Sequence, residues 1–123
     1  MTILIIQDNQ PMRRAIKSLI GDLAAEVYEC ADGDQALAAY QQHHPDWVLM
    51  DMQIGRTDGL VVTRQIKTAF PHARIVMLAD FDDESLRAEA EQAGVCNTLL
   101  KENLFTVRTL IKQEARESGD ASI

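Results

Sequence analysis

The segment VLMDMQIGRTDG, Val48 to Gly59, drives three apolar residues straight into the carboxylate of Asp51. A second acidic turn, Asp58-Gly59, follows seven residues later. An acid after an apolar run is commonly the first polar residue outside a core. Asp51 therefore carries meaning only if other reactive groups gather around it.

Outward from this stretch the chain repeats one pattern. The short runs ILII (Ile3–Ile6), VYEC (Val27–Cys30), WVLM (Trp47–Met50), IVML (Ile75–Leu78) and TLL (Thr98–Leu100) are mostly unbroken, as strands covered on both faces are. Between them, apolar residues recur at helical spacing: Met12, Ile16, Leu19 and Leu23; Leu37 and Tyr40; Val62, Ile66, Ala69 and Phe70; Leu86, Ala90 and Ala93; Leu104, Val107, Ile111 and Ala115. Asn9, Asp58, Asp82 or Asp83, and Asn103 stand where helix N-caps belong, and Pro45, Pro71 and Gly94 where helices should stop. Five strands alternating with five helices predict an α/β fold, a three-layer, doubly wound parallel sheet with right-handed crossovers. Residues 1–117 read as this one domain, and 118–123 as a disordered tail or the start of a linker.

Composition narrows the function classes. A chain of 123 residues with 46% hydrophobic and 25% charged content is one ordinary globular domain. Its net charge of −7 argues against direct nucleic-acid binding. Cys30 and Cys96 match no disulfide framework or zinc spacing, which favours a reducing compartment. The first apolar run is too short for a signal peptide, and no run approaches a membrane span. The expectation is a cytoplasmic protein without a membrane partner.

Parallel α/β sheets gather their functional groups at the carboxyl ends of the strands. There the sequence places Gln7-Asp8, Asp51, Ala79-Asp80 and Lys101. Asp8, Asp51 and Lys101 on one edge would suit Mg²⁺ and a phosphoryl group, the acids holding the cation and the ammonium meeting a phosphoryl oxygen.

ILIIQDN, VLMDMQIGRTDGL, RIVML followed by Ala79, and AGV…LLK ending at Lys101 together resemble the receiver domain of two-component response regulators, over Thr2 to about Glu114. The resemblance implies a flavodoxin-like sheet of order 2-1-3-4-5. It implies that Asp51 accepts a phosphoryl group from a sensor histidine kinase or phosphotransfer protein. Mg²⁺ would then sit on Asp8, Asp51 and the backbone carbonyl of Gln53, with Lys101 on the phosphoryl group. Output would pass to a downstream protein or effector domain, with a homodimer as a further partner class, through the face of the fourth and fifth helices and fifth strand. The chain would signal and not act as an enzyme.

Three positions depart from the family pattern. Gln7 stands for the first of two acids, so Mg²⁺ should bind weakly. Ala79 replaces the Ser or Thr that bonds the phosphoryl oxygen, and Thr98 replaces the switch aromatic. Proline is also common at Gly55 and Glu102, and Asp80 adds negative charge beside the phosphoryl position. These losses make a phosphorylation-independent pseudo-receiver, a protein-interaction module, the rival reading. A phosphatase with an aspartate nucleophile would carry Asp-x-Asp after the first strand. A flavodoxin-like cofactor binder would carry a phosphate loop after Ile6.

Taken singly, these residues have plainer roles. Lys101 could be a surface lysine, or could pair with Asp51 to quiet an inactive site. Asp58-Gly59 reads as a turn and helix cap. Asp32-Gly33-Asp34 lacks the later ligands of a calcium loop. His43 and His44 read as exposed loop residues, and Cys96 as a small apolar side chain.

Overall fold

The computed structural model describes residues 1–121, with side chains through residue 113. Ala115 of the expected apolar stripe and the expected tail, 118–123, lie outside the residues whose side chains are described. Five runs form the expected strands: β1 (Thr2–Ile6), β2 (Glu26–Cys30), β3 (Trp47–Asp51), β6 (Ile75–Ala79) and β7 (Asn97–Leu100). They make one parallel sheet of order β2-β1-β3-β6-β7, which is 2-1-3-4-5 when these five are counted alone. The helices are α1 (Gln10–Ile20), α2 (Ala36–His43), α3 (Gly59–Ala69), α4 (Glu84–Ala93) and α5 (Phe105–Ala121).

Side chains alternate across a strand, so each central run feeds two cores. Ile3, Ile5, Trp47, Leu49, Val76 and Leu78 pack with Ile16 and Ile20 of α1 and Val107 and Ile111 of α5. Leu4, Ile6, Val48, Met50, Ile75 and Met77 pack with Tyr40 of α2, Leu60, Val62 and Ile66 of α3 and Ala90 of α4. The unbroken apolar runs are the signature of this double coverage. Trp47 opens β3, is 1% exposed, and lies under the Arg74 guanidinium, 4.6 Å from the ring centroid. Its indole N–H has no partner.

The helix ends follow the expected punctuation. Met12 N–H donates to Asn9 Oδ1 (2.9 Å) and Leu60 N–H to Asp58 Oδ1 (2.8 Å). For α4 the cap is Asp83, whose Oδ1 accepts from Ser85 N–H (2.9 Å) and Leu86 N–H (3.2 Å). Gly94 closes α4 at φ +107, where Val95 N–H reaches the Ala90 carbonyl and Gly94 N–H the Glu91 carbonyl. Asp83→Ala should therefore cost about 1 kcal/mol, while Asp82→Ala, which loses only an exposed pair with Arg87, should stay within about 0.5 kcal/mol. Urea unfolding of both variants checks this, and equal costs would reject Asp83 as the cap.

Some expectations are corrected. Asn103 does not stand at the start of α5: Lys101–Asn103 form a 3-10 turn straight off β7, and α5 begins at Phe105. His43 is the last residue of α2 and stacks on Tyr28 of β2, ring centroids 3.6 Å apart. Only His44, left-handed at φ 45, is an exposed linker residue. Cys96 is exposed, because its backbone extends the sheet by donating to Ile75 while its side chain misses both cores. A small antiparallel hairpin, β4 (Gln53–Ile54) with β5 (Thr57–Asp58), was not expected. Gly55 turns it at φ +61, a backbone that proline cannot take, so the common family residue has no place here.

Candidate functional site

The carboxyl edge of the sheet carries the expected residues. Asp51 ends β3 with all five strand residues buried and is itself 5% exposed. The next helix starts against its backbone: Gly59 N–H donates to the Met52 carbonyl (2.7 Å), and a Cβ on Gly59 would lie 2.3 Å from the Asp51 carbonyl oxygen. One strand over, Gln7 prolongs β1 by donating its N–H to Cys30 (3.0 Å) and is 1% exposed. On the other side, Ala79 ends β6 opposite Leu100 of β7, so Asp80 and Lys101 leave the sheet side by side.

Gln7 and Lys101 meet on one oxygen of Asp51. Asp51 Oδ2 accepts from Gln7 Nε2 at 2.8 Å and lies 2.7 Å from Lys101 Nζ. Oδ1 accepts only a long bond, 3.4 Å, from Gln53 N–H. The Gln7 amide is oriented by its far side, since its Oε1 accepts from Asn9 N–H at 3.1 Å. Lys101 Nζ also reaches Asp80 Oδ1 at 3.0 Å. Burial lowers the Lys101 pKa, but its hydrogen bonds to Asp51 and Asp80 outweigh that and raise it above the ordinary lysine value. The group is an ammonium at neutral pH. Arg13 of α1 holds the β1 end in place by donating to the carbonyls of Gln7 (2.8 Å) and Asp8 (3.3 Å).

Asp8 is exposed, and its carboxylate lies toward Gly55 of the hairpin. Thr98 is half-buried opposite Met77, at the rim of a cleft lined by Phe81, Arg87, Leu99 and Leu100. Ala79 is buried and brings no hydroxyl to the edge.

Residues 3–113 match the response regulator receiver domain family. The chain belongs to that family. As a receiver it is 35% identical over 100 residues to the chemotaxis protein CheY of Bacillus subtilis, covering 80% of this chain and 83% of that one. It is 32% identical over 101 residues to the response regulator protein VraR of Staphylococcus aureus, covering 80% of this chain and 48% of VraR. To the transcriptional regulatory protein DegU of Brevibacillus brevis it is 31% identical over 105 residues, 81% of this chain and 43% of DegU. The receiver thus spans most of the chemotaxis protein and under half of the two regulators. A LuxR-family DNA-binding response regulator from Staphylococcus aureus superposes with TM-score 0.80 at 19% identity, covering 91% of this chain and 96% of that one. The receiver domain of NtrX from Brucella abortus gives 0.77 at 24%, covering 89% and 96%. Both show the fold.

Receiver domains generally use Mg²⁺, and the chemistry of this donor set fits a divalent cation in its minimal form. Among the described residues no three His, Cys, Asp or Glu side chains come together as ligands. The Gln7 amide turns an N–H, not an oxygen, toward Asp51. What remains for a hard cation is Asp8, the Asp51 carboxylate and the Gln53 carbonyl. In Gln7→Asp, Mg²⁺ affinity should rise about tenfold with the added charge. The metal-free domain should lose about 2 kcal/mol, because a buried donor to Asp51 becomes a third carboxylate. Magnesium titration, and urea unfolding in chelator, decide this. Unchanged affinity would remove Gln7 as the limiting position.

Two parts of the site escape sequence reasoning. The reach of Asp80 to Lys101 is signalled only by an acid directly after a strand. The Arg13 clamp is signalled by its place one helical turn beyond the Asn9 cap, which aims it back at the strand end.

Proposed function

We propose that this receiver accepts a phosphoryl group on Asp51 within a two-component phosphorelay. The supporting observation is the asymmetric Asp51 carboxylate, with Oδ2 held by Lys101 and Gln7 and Oδ1 left nearly unbonded. Oδ1 attacks the phosphorus of a phosphohistidine on a sensor kinase or phosphotransfer protein. The P–N bond breaks, its electron pair returns to the imidazole, which takes up a proton, and an acyl phosphate remains on Asp51. Lys101 compensates charge on the phosphoryl oxygens, and the buried strand end fixes the carboxylate in line. Mg²⁺, held by Asp8, Asp51 and the Gln53 carbonyl, supplies further positive charge when bound.

Loading and switching are both weakened in this reading, by Gln7 at the metal and by Ala79 and Thr98 at the switch. The output is contact with a downstream protein or effector domain, in the cytoplasm; relatives named as regulators of transcription support an effector domain. The receiver spans residues 1–117, with 118–123 as a tail or the start of a linker. No helix among the described residues is long and apolar enough to cross a membrane.

The Gln7–Asp51 hydrogen bond favours a second reading, a pseudo-receiver whose acceptor is satisfied internally. Incubation with acetyl phosphate and excess Mg²⁺, followed by intact mass, tests the first. A gain of one phosphoryl group is expected, and no gain rejects it.

A further inference from the structure

Lys101 serves two anions that arrive from different strands. Asp51, at the end of β3, is almost fully buried. Asp80, the first residue after β6, has a side chain 63% exposed, and its Oδ1 lies 3.0 Å from the ammonium. Asp80 also opens the segment that runs through Phe81 and Asp82 to the Asp83 cap of α4. One lysine therefore ties the acceptor to the lead-in of α4, at the strand end where Ala79 brings no hydroxyl.

We propose that Asp80 is the chain's built-in stand-in for a phosphoryl oxygen, and that its bond to Lys101 couples charge at Asp51 to the segment before α4. The coupling has the opposite sign to that of a hydroxyl. A Ser or Thr is drawn toward a phosphoryl group; a carboxylate is driven away from one. A phosphoryl group brings close to two negative charges and three acceptor oxygens to Lys101. It competes for the ammonium and repels the second carboxylate. Asp80 is the partner that leaves, because its exposed carboxylate can be resolvated while Asp51 is fixed in the strand. Phe81, 78% exposed and next in the chain, moves with it. Loading thus frees the α4 lead-in and changes how an aromatic is presented.

The loaded arm of the test rests on Asp51 as acceptor; the other arms do not. The readout is amide exchange from Phe81 to Arg87 in the full chain. In Asp80→Asn exchange should rise by up to about fivefold, the scale of a partly exposed ion pair, with the amides of Gln7 and Met50 unchanged. In Asp51→Asn, where Asp80 no longer shares Lys101, it should fall. Beryllofluoride with Mg²⁺ should raise it in the native chain and leave Asp80→Asn where it was. Exchange that ignores charge at residue 51 and the Asp80 substitution alike would overturn the coupling. Absence of beryllofluoride loading, with the two unloaded arms as expected, would overturn the acceptor reading and keep the Asp80–Lys101 tie.

Discussion

Asp51→Asn is expected to gain no mass in acetyl phosphate and Mg²⁺, against one phosphoryl group in the native chain. The loss should be complete, because a neutral amide oxygen is no nucleophile toward phosphorus and, among the described residues, no other carboxylate is buried at a strand end beside an ammonium. The substitution preserves volume, and Gln7 Nε2 can still donate to the amide oxygen. Lys101 keeps Asp80 as its counter-ion. The fold should therefore survive with little change in stability, so that lost labelling reports chemistry alone. Partner binding separates the two functional readings. A phosphoacceptor loses its regulated output with the carboxylate, whereas a pseudo-receiver binds as before. Intact mass and a binding assay on the same pair of proteins decide; an unlabelled native chain with binding spared by the substitution would establish the interaction module.

Gly59→Ala should be the most damaging small change near the site. The added Cβ would meet the Asp51 carbonyl oxygen at 2.3 Å and the Met52 carbonyl oxygen at 2.9 Å, both main-chain atoms with no rotamer to yield. Either α3 backs away or the β3 end bends, and overpacking of this kind costs about 1–3 kcal/mol. Gly21→Ala is the control, since Gly21 sits at φ −61 with nothing within 4 Å of its would-be Cβ. It should be neutral or stabilising by about 0.4–1 kcal/mol. Thermal melts should show the Gly59 variant roughly 5–10 °C lower and the Gly21 variant unchanged or higher. Phosphoryl uptake should fall in the first alone. An unshifted midpoint in Gly59→Ala would mean that α3 approaches Asp51 more loosely than these distances require.

The sheet was legible because double-sided burial leaves apolar runs without alternation, and because Asn9, Asp58, Asp83 and Gly94 mark helix ends with short-range bonds that a sequence can display. The meeting of Asp51 and Lys101 at one edge followed from parallel strand order. The β4–β5 hairpin was not legible, since two-residue strands carry no period and only Gly55 hints at the turn. The stacking of His43 on Tyr28 depends on α2 lying over β2, which spacing alone does not reveal. Two facts decide how the site behaves. Gln7 turns its N–H and not its oxygen to Asp51, and Asp80 shares Lys101. Both are matters of a few ångströms between strand ends, and sequence spacing is blind at that scale.

Trp47 has an optical consequence. It is the sole tryptophan, sealed in the core beneath Arg74. It opens the strand that Asp51 closes, roughly 13 Å away at the usual rise per residue. Its emission should be that of a dry indole and should shift to the red in one step when the core opens. Neither Mg²⁺ nor a group on Asp51 comes near enough to quench it. Fluorescence will follow the unfolding of every variant named above, and it will stay dark to the occupancy of the acceptor.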